Sequence, residues 1–186
     1  MKKVLLIAVV LLLIVIAAVW IAGASLSRDH VATSRARYGH PPEEVWEVIT
    51  DFEGTPRWWS GVQSAERGGE WKGAPVWVLA SGFGPLPLAV IEADPPRRMV
   101  TEIASDDLPF GGTWTWQVEP VDGGATLAIT ERGSVKNPFF RFLSRFVTGY
   151  HGTMDSLLRD LGAKLGERVA PVHLPDQSDS RGAEAE

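Results

Sequence analysis

Few side chains in this sequence could do acid–base chemistry, and His151, Glu131 and Tyr150 are its weak candidates for catalytic groups. His151 precedes Asp155 by four positions, a spacing that allows a hydrogen bond or ion pair on a helix surface. A general base also needs a positioned substrate and a suitable pKa, and no second base or nucleophile follows nearby. A surface pair is therefore the simpler interpretation of His151 and Asp155.

Glu131 ends the stretch LAITE, in which Leu127, Ile129 and Glu131 alternate and so share one face of a strand. If that face is buried, the carboxylate needs a partner such as Arg132, Arg98 or a ligand donor. The alternative is a strand end that reaches solvent.

The composition indicates neither a metal centre nor a cofactor. The chain contains no cysteine, which excludes disulfides, thiolate zinc sites, iron–sulfur clusters and cysteine nucleophiles. His151 and Asp155 alone leave a zinc ion short of ligands. Walker loops, GxSxG elbows, HExxH motifs and dinucleotide fingerprints are absent. A formal net charge of −5 gives no basic face for nucleic acid, and the sequence indicates no protein partner.

Residues 1–28 are predicted to be a transmembrane anchor or a signal peptide. The run from Val4 to Ala24 is uncharged and, at about 1.5 Å per residue, spans about 31 Å, close to one hydrocarbon thickness. Ala22-Gly23-Ala24 has the form of a signal-peptidase site, so cleavage stays open as the alternative. The run is longer than a usual signal segment, and Trp20 resembles an interfacial anchor, which favours an uncleaved membrane span through residues 4–24.

The charges around this span give its expected orientation. Lys2 and Lys3 favour a cytoplasmic N-terminus, although the arginines that follow the span weaken the asymmetry. We therefore expect a single-pass membrane protein whose domain is extracytoplasmic.

The opposite end, residues 169–186, is rich in proline, serine, glycine and acids and is predicted to be a disordered tail. His173 within it is expected to be solvated rather than a ligand. Residues 29–168 remain, which suit one domain of ordinary size.

This middle part alternates short apolar strands with strong turn signals. The first strand is expected at Val31–Tyr38. Six more follow near Val62–Arg67, Pro75–Ser81, Leu86–Ala93, Arg98–Ser105, Thr113–Glu119 and Thr126–Arg132. Connections as short as those between them impose antiparallel neighbours, so the class is α+β with an antiparallel sheet.

Helices are expected before and after these six strands. Pro41-Pro42 begins a short amphipathic helix that ends near Asp51, and Gly54–Ser60 forms a second short helix or turn. Asn137 is a good N-cap for one long C-terminal helix that reaches about Gly166. Its apolar stripe, aromatic in the first half, needs the sheet as a partner.

Two glycines, Gly149 and Gly152, lie in that helix, and each costs about 1 kcal/mol relative to alanine. They indicate a kink or a close contact with the sheet, or else room for a ligand.

The stretch FGGTWTWQV places Trp114 and Trp116 on one strand face with Val118, and Thr113 and Thr115 on the other. Core packing explains any one of these tryptophans. The alternative is a pocket, in which a ligand or a bound water supplies the hydrogen-bond partner that each indole N–H needs.

The order of elements resembles the helix-grip fold of the START-like (SRPBCC) superfamily, in particular its polyketide cyclase/dehydrase and lipid-transport group. The resemblance covers about Asp29 to Glu167 and is carried by PPEEVWEVITDFEGTPRWW, EADPPRRMVTEI, GGTWTWQVEPVDGGATLAITERGSV and the closing helix. It implies a curved antiparallel sheet around a long C-terminal helix, with a cavity between them. The membrane anchor departs from the typical soluble member.

The resemblance implies a cavity that binds a hydrophobic small molecule such as a lipid, isoprenoid or aromatic metabolite. Candidate lining residues are Trp58, Trp59, Trp77, Trp114, Trp116, Phe146, Tyr150 and Met154. One alternative is a cyclase- or dehydratase-like enzyme that uses His151 or Glu131 with Tyr150. Another is an adaptor with a solid core and a partner on the sheet edge.

Overall fold

The main element of the protein, in a computed structural model that describes residues 2–82 and 84–175, is one antiparallel sheet. Its strands are β1 (Asp29–Tyr38), β2 (Val62–Trp71), β3 (Ala74–Ser81), β4 (Gly84–Asp94), β5 (Arg98–Ile103), β6 (Phe110–Val121), β7 (Gly124–Val135) and β8 (Val172–Leu174). The sheet is curved and has the order β2-β3-β4-β5-β6-β7-β1-β8, which confirms the predicted α+β class.

All seven predicted strands are present, with boundaries that differ by a few residues. Two glycine pairs lie inside strands: Gly68-Gly69 in β2 and Gly111-Gly112 in β6. The β2–β3 ladder shifts register between Arg67 and Glu70, as at a β-bulge, which accommodates the first pair.

The concave face of the sheet holds the core. It packs against α2 (Pro42–Thr50), a 3-10 turn (Thr55–Arg57) and α4 (Gly152–Lys164). From α4 it receives Met154, Leu157, Leu158 and Leu161, all fully buried. Tyr38 at the end of β1 is also fully buried, and its hydroxyl donates a hydrogen bond to the Leu158 carbonyl at 3.0 Å.

The C-terminal helix is interrupted, so the prediction of one continuous helix is wrong. Asn137 caps α3 (Pro138–Leu143) as expected, and its side chain accepts from the Phe139 N–H at 2.9 Å. A π-helical turn (Ser144–Thr148) follows, and the chain then breaks at Gly149, whose φ of 71° and ψ of 169° are accessible essentially to glycine alone. The part after this break packs into the core under the sheet, whereas α3 packs mainly against α1.

The N-terminal segment agrees with its prediction as an apolar helix, whereas the C-terminal tail differs from its prediction in part. The helix α1 (Lys2–Ser25) is, by length and composition, able to cross a membrane, and a β-carbon added at Gly23 in its last turn would overlap the Pro138 carbonyl. The tail is not wholly disordered, because Val172–Leu174 pairs with β1. Residues 176–186 lie outside the described residues.

Candidate functional site

The inner face of β6 carries Trp114 and Trp116, as the alternation predicts. Trp116 is 5% exposed, and its indole N–H donates to the Thr101 hydroxyl at 3.2 Å. Trp116 is therefore a satisfied core residue. Met154 is fully buried and belongs to the same core.

Further tryptophans come together around Trp114. Ring centroids of Trp59 and Trp114 are 6.3 Å apart, and those of Trp114 and Trp116 are 5.6 Å apart. Trp59, which follows the 3-10 turn, is itself buried. These separations are typical of aromatic pairs, so the fold assembles one continuous aromatic cluster from two distant segments.

The inner face of β3 and β4 is less well covered. Trp77 is opposite Leu88 in the register, and both pack against the core while staying partly exposed, as do Leu86 and Val90. α4 lies against β1 at the other side of the sheet, and several core-facing side chains of β3 and β4 are left partly exposed. We use "apolar cleft" for the surface formed by the partly exposed side chains that pack against this core: Trp77, Leu86, Leu88, Val90, Trp114 and Tyr150.

Two predicted lining residues lie elsewhere. Trp58 contributes to a groove of about 290 Å³ between α2 and the end of α4, which also contains Glu47, Asp51, Arg57 and Lys164. Its buried indole N–H has no hydrogen-bond partner within the described residues. The other is Phe146, which is 63% exposed on the π-helical turn and is not brought to Trp114.

A polar cluster borders the aromatic one. His30 Nε2 lies 3.3 Å from Glu131 Oε1, and the His30 ring stacks on Tyr150 with centroids 4.0 Å apart. Gly133 makes room for this imidazole, because a β-carbon there would overlap the ring. Glu131 is thus partnered by His30, and neither Arg132 nor Arg98 is its partner.

His30 was not a candidate in the sequence, although a signal for it exists. The inward residues of β1 alternate from Ala32 to Tyr38, and one further step of two places His30 on the same face. The strand begins at Asp29, two residues before the predicted start at Val31, so the predicted strand does not include His30.

His151 belongs to a second polar cluster, with Ser34, Asp155 and His173. The buried Ser34 hydroxyl lies 3.1 Å from His151 Nδ1 and donates to Asp155 Oδ1 at 2.8 Å. His173 stacks on His151 at 3.8 Å and pairs with Asp155 Oδ2 at 2.9 Å. The expected direct contact of His151 with Asp155 is therefore mediated by Ser34, and His173 is not merely solvated.

Burial lowers the pKa of His151, and the charge of the adjacent His173 acts in the same direction. The carboxylates of Asp155 and Glu131 oppose this shift. His151 is thus biased towards the neutral form, in which one ring nitrogen accepts a hydrogen bond.

Together these contacts bring the three weak catalytic candidates to one end of the apolar cleft. Glu131 and Tyr150 both contact His30, and the Glu131 charge acts on His151. Among residues 2–82 and 84–175, no group of three His, Asp or Glu side chains is arranged to hold a metal ion. The groups present can bind and orient a polar end of a ligand, or exchange protons with it.

Comparison with known proteins agrees with this architecture. The model of the family described as "Polyketide cyclase / dehydrase and lipid transport" matches residues 30–166. No curated protein matches the chain.

Several solved structures share the fold. A START superfamily protein from Mycobacterium smegmatis is 17% identical, with a TM-score of 0.59 over 74% of this chain and 97% of that one. Protein XoxI from Bacillus cereus is 19% identical, with a TM-score of 0.54 over 75% and 95%. The di-domain ARO/CYC StfQ from the steffimycin biosynthetic pathway is 14% identical, with a TM-score of 0.57 over 73% and 50%. At such identities the likeness concerns the fold alone, and it confirms the predicted helix-grip architecture.

Proposed function

Because this chain belongs to the polyketide cyclase/dehydrase and lipid transport family, we propose that it binds a hydrophobic small molecule in the apolar cleft. A lipid, an isoprenoid or an aromatic metabolite has the required chemistry. The observation that supports this is the partial exposure of Trp77, Leu88 and Val90, which lie on the core face of the sheet. A ligand that covers them gains about 25 cal/mol per Å² of apolar surface removed from water.

The polar cluster at the end of the cleft suits an amphipathic ligand. His30 contacts both Glu131 and Tyr150, and Glu131 is opposite Trp114 in the β6–β7 register, so this cluster offers donors and acceptors for a carboxyl, hydroxyl or carbonyl group. A few polar groups in an apolar site commonly fix the orientation of the ligand.

Ligand binding is tested with the full chain in detergent, titrated with oleate, farnesol and anthraquinone while tryptophan fluorescence is recorded. We expect saturable binding of at least one of these probes and weaker binding by Trp114→Ala with the fold retained. Trp20→Phe, in α1, is the matched control and should bind as the unchanged protein does. Native mass spectrometry of the chain purified from membranes should show a co-purified small molecule.

No saturation by any probe, together with no co-purified mass, would refute ligand binding and favour the adaptor alternative.

Enzymatic cyclisation or dehydration of such a ligand is the second candidate, favoured by the contact of Glu131 and Tyr150 with one histidine. In that case Glu131 or His151 would take a proton while Tyr150 supplies one. If Glu131 is the base, Glu131→Gln should abolish turnover of a cyclisable polyketone but keep its binding. Unchanged turnover by this variant would exclude the carboxylate as the base.

The proposal includes anchoring by α1, with the N-terminus in the cytoplasm. The close packing of Gly23 on Pro138, and the hydrogen bond from Arg141 Nη1 to the Leu26 carbonyl at 2.8 Å, support retention of α1. The intact mass of the membrane-extracted protein tests cleavage near Ala24, and protease protection in sealed cells tests the orientation.

A further inference from the structure

Residues 138–148, which we call the phenylalanine segment, expose aromatic side chains beside α1. Phe139, Phe140, Phe146 and Val147 are 43%, 45%, 63% and 67% exposed. The four phenylalanine rings of the segment form two pairs. The ring centroids are 5.8 Å apart for Phe139 and Phe140, and 5.0 Å apart for Phe142 and Phe146. Exposed apolar surface on consecutive turns commonly marks a binding surface for a protein or a membrane.

The position of the segment along α1 is fixed by two contacts. Gly23 packs against Pro138 so closely that a side chain would overlap its carbonyl, and Arg141 donates to the Leu26 carbonyl at 2.8 Å. Packed helices have axes about 8–10 Å apart. A span of about 30 Å of hydrocarbon uses the whole run from Val4 to Ala24, so Gly23 lies where the hydrocarbon core ends. Pro138, which touches Gly23 and begins the phenylalanine segment, lies at the same depth.

The charge of the segment fits a lipid surface. PFFRFLSRFVT contains two arginines and no acid, in a chain with 23 acidic and 18 basic residues. Arg145 is exposed, whereas Arg141 is 7% exposed and its Nε has no hydrogen-bond partner within the described residues. Aromatic and cationic side chains together are typical of helices that lie in the bilayer interface.

We propose that the phenylalanine segment lies in the interface of the bilayer that α1 crosses, with Phe140, Phe146 and Val147 among the lipid headgroups and upper acyl chains. This inference rests on the proposed anchoring by α1. With this contact the domain is docked on the membrane surface, and it does not move freely on a tether. Tyr150 follows the segment by two residues, so the nearby end of the apolar cleft adjoins the bilayer.

The absence of cysteines permits a direct test, because single cysteines can be introduced into the full chain. Phe140→Cys and Phe146→Cys are labelled with the fluorophore NBD and reconstituted into phosphatidylcholine/phosphatidylglycerol vesicles with a nitroxide on the lipid 5-position. Val121→Cys is the matched control, since Val121 is 36% exposed and lies at the far end of β6. At about 3.4 Å per residue, β6 puts it roughly 37 Å from Phe110, which is paired with Val135 just before the segment.

We expect lipid-borne quenching at positions 140 and 146 to exceed that at 121 about threefold or more, because interfacial segments sit 5–10 Å into the boundary. Blue-shifted emission should accompany it. Equal quenching at all three positions would overturn the inference.

A fourth label, Leu12→Cys, separates this inference from anchoring. Quenching at position 12 by a nitroxide deep in the acyl chains, without quenching at 140 and 146, refutes docking and leaves the anchor intact. No quenching at position 12 refutes the anchor, and docking with it. A second copy of the chain could cover the segment instead of the bilayer. In that case neither the lipid nitroxide nor aqueous iodide would quench the labels at 140 and 146 until the protein is diluted. That result also refutes docking.

Discussion

The two halves of the concave face have the same kind of residues but different degrees of burial. Under α4, Leu127, Ile129 and Val118 of the sheet meet Leu158 and Leu161 of the helix, and all are at most 2% exposed. On β3 and β4, Trp77, Leu86 and Leu88 remain partly exposed. Apolar sequence alone therefore does not decide what is core, because burial also requires a covering element.

The covering element ends where the helix breaks. Residues after Gly149 form α4 and lie against β1, whereas residues before it turn towards α1. The break divides the predicted apolar stripe into a buried part in α4 and an exposed, aromatic part before Gly149.

The largest expected difference between the two halves is in stability. Leu158→Ala removes a fully buried side chain from the packed half and should lower the free energy of unfolding by about 2–5 kcal/mol. Leu86→Ala, the same change in the open half, should cost less because its side chain is already partly exposed. Chemical denaturation of both variants in detergent measures this. Equal losses would mean that the halves do not differ in packing.

The break itself is tested by a pair of glycines. Gly149→Ala should lower the free energy of unfolding by about 1–3 kcal/mol, because alanine is strained at this φ and ψ. Gly152→Ala, in the first turn of α4 with open space at its β-carbon, should be neutral or stabilising. More stability and more helical circular dichroism in Gly149→Ala would show that the uninterrupted helix is preferred.

Removal of Trp77 should affect ligand binding more than folding. Trp77→Ala takes away an apolar wall of the cleft and is expected to weaken binding of the best of the three probes about tenfold, or about 1.4 kcal/mol. Fluorescence titration supplies the affinity and a melting curve the stability. If affinity is unchanged while stability collapses, Trp77 is a core residue and the cleft is not the binding site.

The smallest expected effect concerns pH. The pKa of His151 is lowered from its usual 6.5 by burial, so the folded state binds the proton more weakly than the unfolded state. Its contribution to stability is complete above pH 6.5 and is lost as the pH falls below that value. The charged groups that face it, His173, Asp155 and Glu131, are unchanged in His151→Asn.

His151→Asn should therefore lose less stability than the unchanged protein between about pH 7 and pH 5, measured by denaturant midpoints. His40 acts in the opposite direction. Its hydrogen bond to Glu44 raises its pKa, so its contribution is complete below pH 6.5 and is lost as the pH rises through the raised value. A steeper acid loss in His151→Asn would contradict the role given to burial.

Much of the fold could be predicted from local patterns. The alternation in GGTWTWQV and LAITE, with glycine- and proline-rich turns between strands, identified β2 to β7. The short connections identified the antiparallel arrangement, and the resemblance identified its curvature around a C-terminal helix. The candidate site was predicted less completely. Trp59, Trp114 and Tyr150 are brought together, but Phe146 is not, since a helical stripe cannot show that the helix stops at Gly149.

By itself the sequence determined the elements and their apolar faces, because side-chain alternation and helical spacing are local properties of the chain. Only the tertiary structure decided the partners. His30 meets Glu131 across 101 positions, and Ser34 meets Asp155 across 121, through the register of β1 with β7 and the packing of α4 on β1. Such contacts depend on the relative positions of several packed elements, and no single stretch of sequence determines those positions.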